Sequence, residues 1–195
     1  MTAIVADPRV RRPVSAMRVF APAALVSLLI LAAGAEPGVL VSWVMPVVWA
    51  AVVDARSSRL PDRVVLPGLA VFLAVLVASV PLTRSSSLLV SGLVGAALLS
   101  VPLGLVHLLW PEGLGFGDVK YGVLIGAGVG AATRPGAVVA VFALAMVVQL
   151  VVVWWRPLPA QRVPGASRRA APLGPALALA AVGWVALSLI SEGGV

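Results

Sequence analysis

Two of the seven acidic residues in this 195-residue chain stand where they could work as a pair. Asp54 closes the apolar stretch Ala51-Val52-Val53. Asp118 follows a glycine-rich string, Gly113-Leu114-Gly115-Phe116-Gly117, and opens a second apolar stretch at Val119. The 63 residues between them hold two long apolar runs and no more. If both runs cross a membrane, the chain returns to the side it left, so Asp54 and Asp118 share a membrane face in either orientation. Carboxyls held close cannot both ionise cheaply. They share a proton, so one can act as base while the other acts as acid. Such a pair can activate water against a peptide bond without a metal or a covalent intermediate. Gly115 and Gly117 let the backbone beside Asp118 fold tightly and let a substrate strand come near it. The alternative is that each Asp is a solvated residue at a helix end.

Composition narrows the other chemistries. The chain has no Cys and one His, His107. That excludes disulfides, thiol nucleophiles, thiolate metal sites and iron–sulfur clusters, and leaves no histidine-rich metal site. No motif for a serine nucleophile is present. An aspartic mechanism with no cofactor and no metal is the simplest hydrolysis these residues support. The other acids read as bystanders. Asp7 lies in the N-terminal tail, Glu36 and Glu192 fall on the opposite membrane side, and Glu112 and Asp62 flank spans on the same side as the pair.

The elements that must position the pair are membrane helices. The chain is 61% hydrophobic and 11% charged, with a mean hydropathy of +1.10. Those figures exclude an ordinary soluble domain and also a disordered chain. At roughly 20 residues per span, about seven crossings fit. The apolar runs are Val19–Ala35, Val39–Val53, Val64–Val80, Leu88–Trp110, Val119–Ala132, Ala137–Trp155 and Leu173–Ile190. They are continuous, whereas a transmembrane barrel needs alternation. The fold expected is all-α: a polytopic transmembrane helix bundle of about seven spans, with residues 1–18 as a basic tail and 19–195 as a single membrane domain.

Basic residues orient it. With the N-terminus on side one, that side receives Arg9, Arg11, Arg12, Arg18, Arg56, Arg59, Arg63, Lys120, Arg156, Arg162, Arg168 and Arg169, and side two only Arg84 and Arg134, a split of 12 to 2. Side one is therefore the cytoplasm, and a missed or extra span would mix the two sets. The net charge of +7 reads in the same way, as contact with anionic lipid and not with nucleic acid. The N-terminus has a second reading. Basic Met1–Arg18, the run after it and Ala33-Gly34-Ala35 before Glu36 also fit a cleavable leader, which would leave the other six spans as they are.

Several residues have structural readings. Trp110, Trp154 and Trp155 fall at span ends, where indoles favour the interface. Pro102 is expected to kink the fourth span. His107 reads as a satisfied interfacial group in preference to a catalytic one. Gly122, Gly126 and Gly130 recur every four residues and read as a close-packing face. The stretch 157–169, rich in Pro, Gly and Arg, reads as a flexible loop.

Gly115-Phe116-Gly117-Asp118-Val119-Lys120 resembles the GxGDxK motif of the type IV prepilin peptidases, which are membrane aspartic proteases. Asp54-Ala55-Arg56-Ser57-Ser58-Arg59-Leu60-Pro61-Asp62, with Pro67 after it, is similar to the family's other motif: an Asp, a short polar stretch and a Leu-Pro-Asp step. Pro172-Leu173-Gly174-Pro175 resembles its late Phe-Gly-Pro segment. The presenilin-like proteases share GxGD, but there the partner Asp typically follows Tyr, and here Val53 precedes Asp54. The resemblance implies cleavage of the short basic leader of prepilin-like proteins at the cytoplasmic face of a prokaryotic inner membrane, with Asp54 and Asp118 as the catalytic pair. Asp62 matches a non-catalytic position of the family and reads as a turn or cap residue. Lys120 either tunes Asp118 or anchors the span. Larger members carry a cytoplasmic insertion with paired Cys motifs and also methylate the new N-terminus; without Cys, peptidase activity alone is implied. Two alternatives stay open: a GxGD protease for other membrane substrates, and a non-catalytic membrane component of a pilus or secretion machine. The substrate, the cleavage site and the oligomeric state are not fixed by the sequence.

Overall fold

The computed structural model describes residues 24–30, 39–57, 60, 62–112, 114–155 and 173–192. Among them are seven helices and no strand: α1 (24–30), α2 (Val39–Ser57), α3 (Asp62–Thr83), α4 (Ser87–Leu109), α5 (Phe116–Ala132), α6 (Ala137–Trp155) and α7 (Gly174–Glu192). Hydrocarbon offers backbone groups no water, so long apolar segments must satisfy those groups internally, as helices do. α3, α4 and α7 are each long and apolar enough to cross a membrane, while α2 and α6 contain the shorter apolar stretches Val39–Ala55 and Ala137–Val151. The architecture is the all-helical membrane bundle expected.

The helices differ from the apolar runs mainly at the polar ends. α2 continues past Asp54 to Ser57, and α3 starts two residues before its apolar run, at Asp62. Pro46, Pro67 and Pro102 all lie inside helices. The N-terminal tail, most of the first span, the Ala33–Ala35 segment, Ser58, Arg59, Pro61, Gly113 and residues 156–172 lie outside the described residues, as do the side chains of Arg56, Trp154 and Trp155.

α5 is the centre of the bundle, touching α2, α3, α4, α6 and α7. From Leu124 to Ala131 every residue is buried. Small residues make that possible, because they let neighbouring backbones come close. The tightest contact is with α4. A Cβ added at Gly95 would strike the Gly126 carbonyl and lie 2.9 Å from Gly130 Cα. The four-residue glycine repeat of α5 is thus a packing face. Gly126 and Gly130 meet Gly95 and Ser91, while Gly122 meets Leu99 and Leu103.

Two aromatic residues pin α2 to α5. Trp43 Nε1 donates to the Leu124 carbonyl at 2.9 Å, and its indole fills the space that a side chain at Gly128 would need. Tyr121 Oη donates to the Val47 carbonyl at 2.8 Å. Both aromatics are fully buried. Moving back along α2 from Val47 to Trp43 moves forward along α5 from Tyr121 to Leu124, so the two helices are antiparallel. At 1.5 Å per residue, Asp54 and Asp118 both fall beyond the Val47–Tyr121 pin, at the same end of the bundle. At the opposite end, the Ser42 N–H in the first turn of α2 donates to Ser27 Oγ at 2.9 Å, which fastens α1. Between α3 and α4, Arg84 takes a left-handed conformation, φ 53°, so that the chain reverses within a few residues.

Candidate active site

Asp54 lies on the buried face of α2, on the stripe Trp43, Val47, Ala50 and Asp54 that recurs every three or four residues. It is 4% exposed, unusual for a carboxyl group. Its Oδ2 accepts the backbone N–H of Gly174, at the start of α7, at 3.0 Å.

Asp118 is the third residue of α5. Gly115, in extended conformation, is the N-cap, and the N–H of Asp118 returns to the Gly115 carbonyl at 3.0 Å. The Asp118 carboxyl lies beside the cap residue, with Oδ2 3.5 Å from where a Cβ on Gly115 would stand. An acidic side chain in the first helical turn is favoured there by the helix dipole. The Asp118 carboxyl is half-buried and close enough to Asp54 for the two to interact directly by charge. The structure therefore brings together the two acids that chain parity places on one face.

Around them the two acidic motifs are stitched. Lys120 Nζ donates to both oxygens of Asp62 at 2.9 Å, joining α5 to the first residue of α3. It also sits 4.9 Å from the centroid of the Phe116 ring. Lys120 is thus engaged by Asp62 and Phe116, and Asp62 serves as an ion-pair partner as well as a helix start. Gly117 packs on Leu60, where an added Cβ would lie 3.2 Å from Leu60 Cβ. His107 Nδ1 lies 2.7 Å from the Leu114 carbonyl, and its ring meets that of Phe116 at 5.5 Å between centroids. It pins the loop that carries Asp118, in keeping with its reading as a satisfied group. Glu112 is exposed on the turn after α4, and Trp110 beside it is 53% exposed.

Sequence reasoning missed two contributors. Tyr121 sits within an apolar helix and carries no motif, yet its hydroxyl helps set the register of α2 against α5. A buried Tyr needs a partner for its O–H, and that was the available signal. Trp43 gave no comparable sign, since an indole in an apolar run reads equally as core or lipid-facing.

Two carboxyls at one end of a helical bundle and within range of each other's charge, one buried and one in the first turn after a glycine-rich string, have the parts for acid–base hydrolysis. The sequence profile of the type IV leader peptidase family matches residues 39–153, more than half of the chain. The chain belongs to the type IV leader peptidase family. No match was found among curated proteins or solved structures. The matched segment runs from the start of α2 into the last turn of α6, so it contains both Asp54 and Asp118 and ends before α7. Membership in a peptidase family, with these apolar helices, makes this leader-peptidase relative a membrane protein of the protease class.

Proposed function

We propose that the protein is an aspartic endopeptidase that removes the basic leader from prepilin-like proteins at the cytoplasmic face of the cell membrane, with Asp54 and Asp118 as its working pair. The observation that carries this is the placement of the two acids, 64 positions apart in the chain, at one end of the bundle and within range of each other's charge, in a member of a leader peptidase family.

The chemistry follows from two carboxyls that hold one proton between them. The ionised carboxyl takes a proton from water as the water oxygen bonds to the scissile carbonyl carbon. The protonated carboxyl hydrogen-bonds the carbonyl oxygen and gives its proton to the leaving amine nitrogen as the C–N bond breaks. The proton taken from water replaces the one given up, so the pair ends with one proton, as it began. The Gly174 N–H holds the Asp54 carboxyl in place, which limits the freedom lost on reaching the reactive geometry. The basic loops fit a cytoplasmic active face, and the absence of Cys fits a peptidase without the methyltransferase region.

The test is co-expression of the full chain with a panel of prepilin-like proteins and of ordinary secretory precursors, with new N-termini mapped by mass spectrometry. The reading expects cleavage of the former at the end of the basic leader and none of the latter, and loss of cleavage with Asp54→Asn. Cleavage of secretory precursors alone would favour a GxGD protease of other specificity. Cleavage of nothing would favour a non-catalytic component.

A further inference from the structure

The third element at the pair is α7, which lies beyond the residues that match the family. The Leu177 N–H returns to the Leu173 carbonyl at 3.1 Å, so Leu173 caps α7 and Gly174 is its first helical residue. The first N–H groups of a helix find no partner inside it. That of Gly174 is taken up by Asp54 Oδ2 at 3.0 Å, so a side chain on α2 completes the start of α7. The same contact fixes the carboxyl plane, because one of its two oxygens is committed.

Space requires the glycine more than conformation does. Gly174 is not in the left-handed region, so its backbone would suit an ordinary residue. A Cβ there, however, would lie 2.6 Å from Asp54 Oδ2, 3.2 Å from Cγ and 3.3 Å from Cβ. The obstruction covers the whole Asp54 side chain, including the Cβ that is fixed to the α2 backbone. Rotation of the carboxyl alone does not relieve it. Elsewhere on α7 a methyl group is harmless: at Gly183 nothing lies within 4 Å.

We propose that Gly174 is a positioning residue for Asp54: its N–H holds one carboxyl oxygen, and its missing side chain is what lets the carboxyl sit against the start of α7. The inference rests on the reading of Asp54 as half of the working pair. It predicts a defect in turnover, because a displaced carboxyl still leaves the substrate-binding surface intact.

The experiment uses the full chain in lipid vesicles with a prepilin-like substrate that the wild type cleaves. Gly174→Ala should lower kcat by about tenfold or more while KM stays within about twofold, and Gly183→Ala should match the wild type in both. A second measurement needs no activity: hydrogen exchange of the Gly174 amide in 15N-glycine-labelled protein. In Asp54→Ala that amide should exchange about tenfold faster while the amide of Gly183, the other glycine of α7, keeps its rate. Wild-type kcat in Gly174→Ala, or a Gly174 amide indifferent to Asp54→Ala, overturns the proposal. If Gly174→Ala fails to accumulate, the amide measurement decides. A wild type that cleaves nothing sinks the peptidase reading and this role with it, whereas an active wild type with an indifferent Gly174 sinks only the role.

Discussion

Replacing Gly95 by Ala adds one methyl group at the closest approach of α4 and α5. The new carbon would lie 2.9 Å from Gly130 Cα and against the Gly126 carbonyl. Comfortable carbon–carbon contact is about 3.5–4.0 Å, so the shortfall is about 0.6–1.1 Å. Both obstructing atoms belong to the α5 backbone, and neither can rotate away. The helices must part by a similar amount, at a cost of about 1–3 kcal/mol for overpacking. α5 carries Asp118 in its first turn, so the shift reaches the pair, and displacement on the order of 1 Å can cost about a hundredfold in rate. The control is Gly104→Ala on the same helix, where the added carbon would meet only Val119 Cγ1, at 3.8 Å. There the methyl makes an ordinary contact, and the helix gains about 0.5–1 kcal/mol from losing a glycine. Thermal unfolding in detergent and leader cleavage in vesicles check both variants. Gly95→Ala should melt below the wild type and cleave about ten- to a hundredfold more slowly, and Gly104→Ala should match or exceed the wild type in stability. Equal stability and equal cleavage for the two variants would refute the reasoning, because the α4–α5 glycine contact would then not set the position of Asp118.

Three further outcomes follow from other contacts. Tyr121→Phe removes one donor to the Val47 carbonyl and should cost about 0.5–1.5 kcal/mol, with less than about a tenfold loss of cleavage, since Trp43 still holds the register; thermal unfolding and the cleavage assay measure both. Asp62→Asn should keep leader cleavage near the wild-type rate, because its ion pair with Lys120 is partly solvated, at 24% and 56% exposure, and such pairs are worth at most about 1 kcal/mol. Reporter fusions at Ser58, Glu112 and Arg162 should mark the cytoplasm and those at Pro37, Ser86 and Arg134 the outside; opposite sides for Ser58 and Glu112 would separate the two acids and end the pairing idea.

Much of the bundle was legible because lipid imposes one simple rule on the backbone. Continuous apolar runs separated by Pro, Gly and charge sufficed to locate six helices, from α2 to α7, to within a few residues. Counting crossings was enough to bring Asp54 and Asp118 to one end without any knowledge of packing. The glycine repeat of α5 announced a close contact but not its partner. Nothing in Ser91 and Gly95 taken alone says that they meet Gly126 and Gly130. Long-range polar contacts were the least legible. The links Trp43 to Leu124, Tyr121 to Val47 and Asp54 to Gly174 each join a side chain to a distant backbone group, and backbone groups leave no trace in residue type. Lys120 shows the same limit on the charged side. Sequence spacing put it two residues from Asp118, yet helix geometry turns it toward Asp62 on α3.

The central claim is that Asp54 and Asp118 form one catalytic unit. The most direct measurement is the rate of leader cleavage by purified protein in vesicles, for the wild type, Asp54→Asn, Asp118→Asn and the double variant, at matched amounts of folded protein. An interdependent pair predicts that each single variant loses cleavage as completely as the double one, since neither carboxyl can act as both base and acid. Substantial cleavage by either single variant would remove that residue from the mechanism and contradict the pairing.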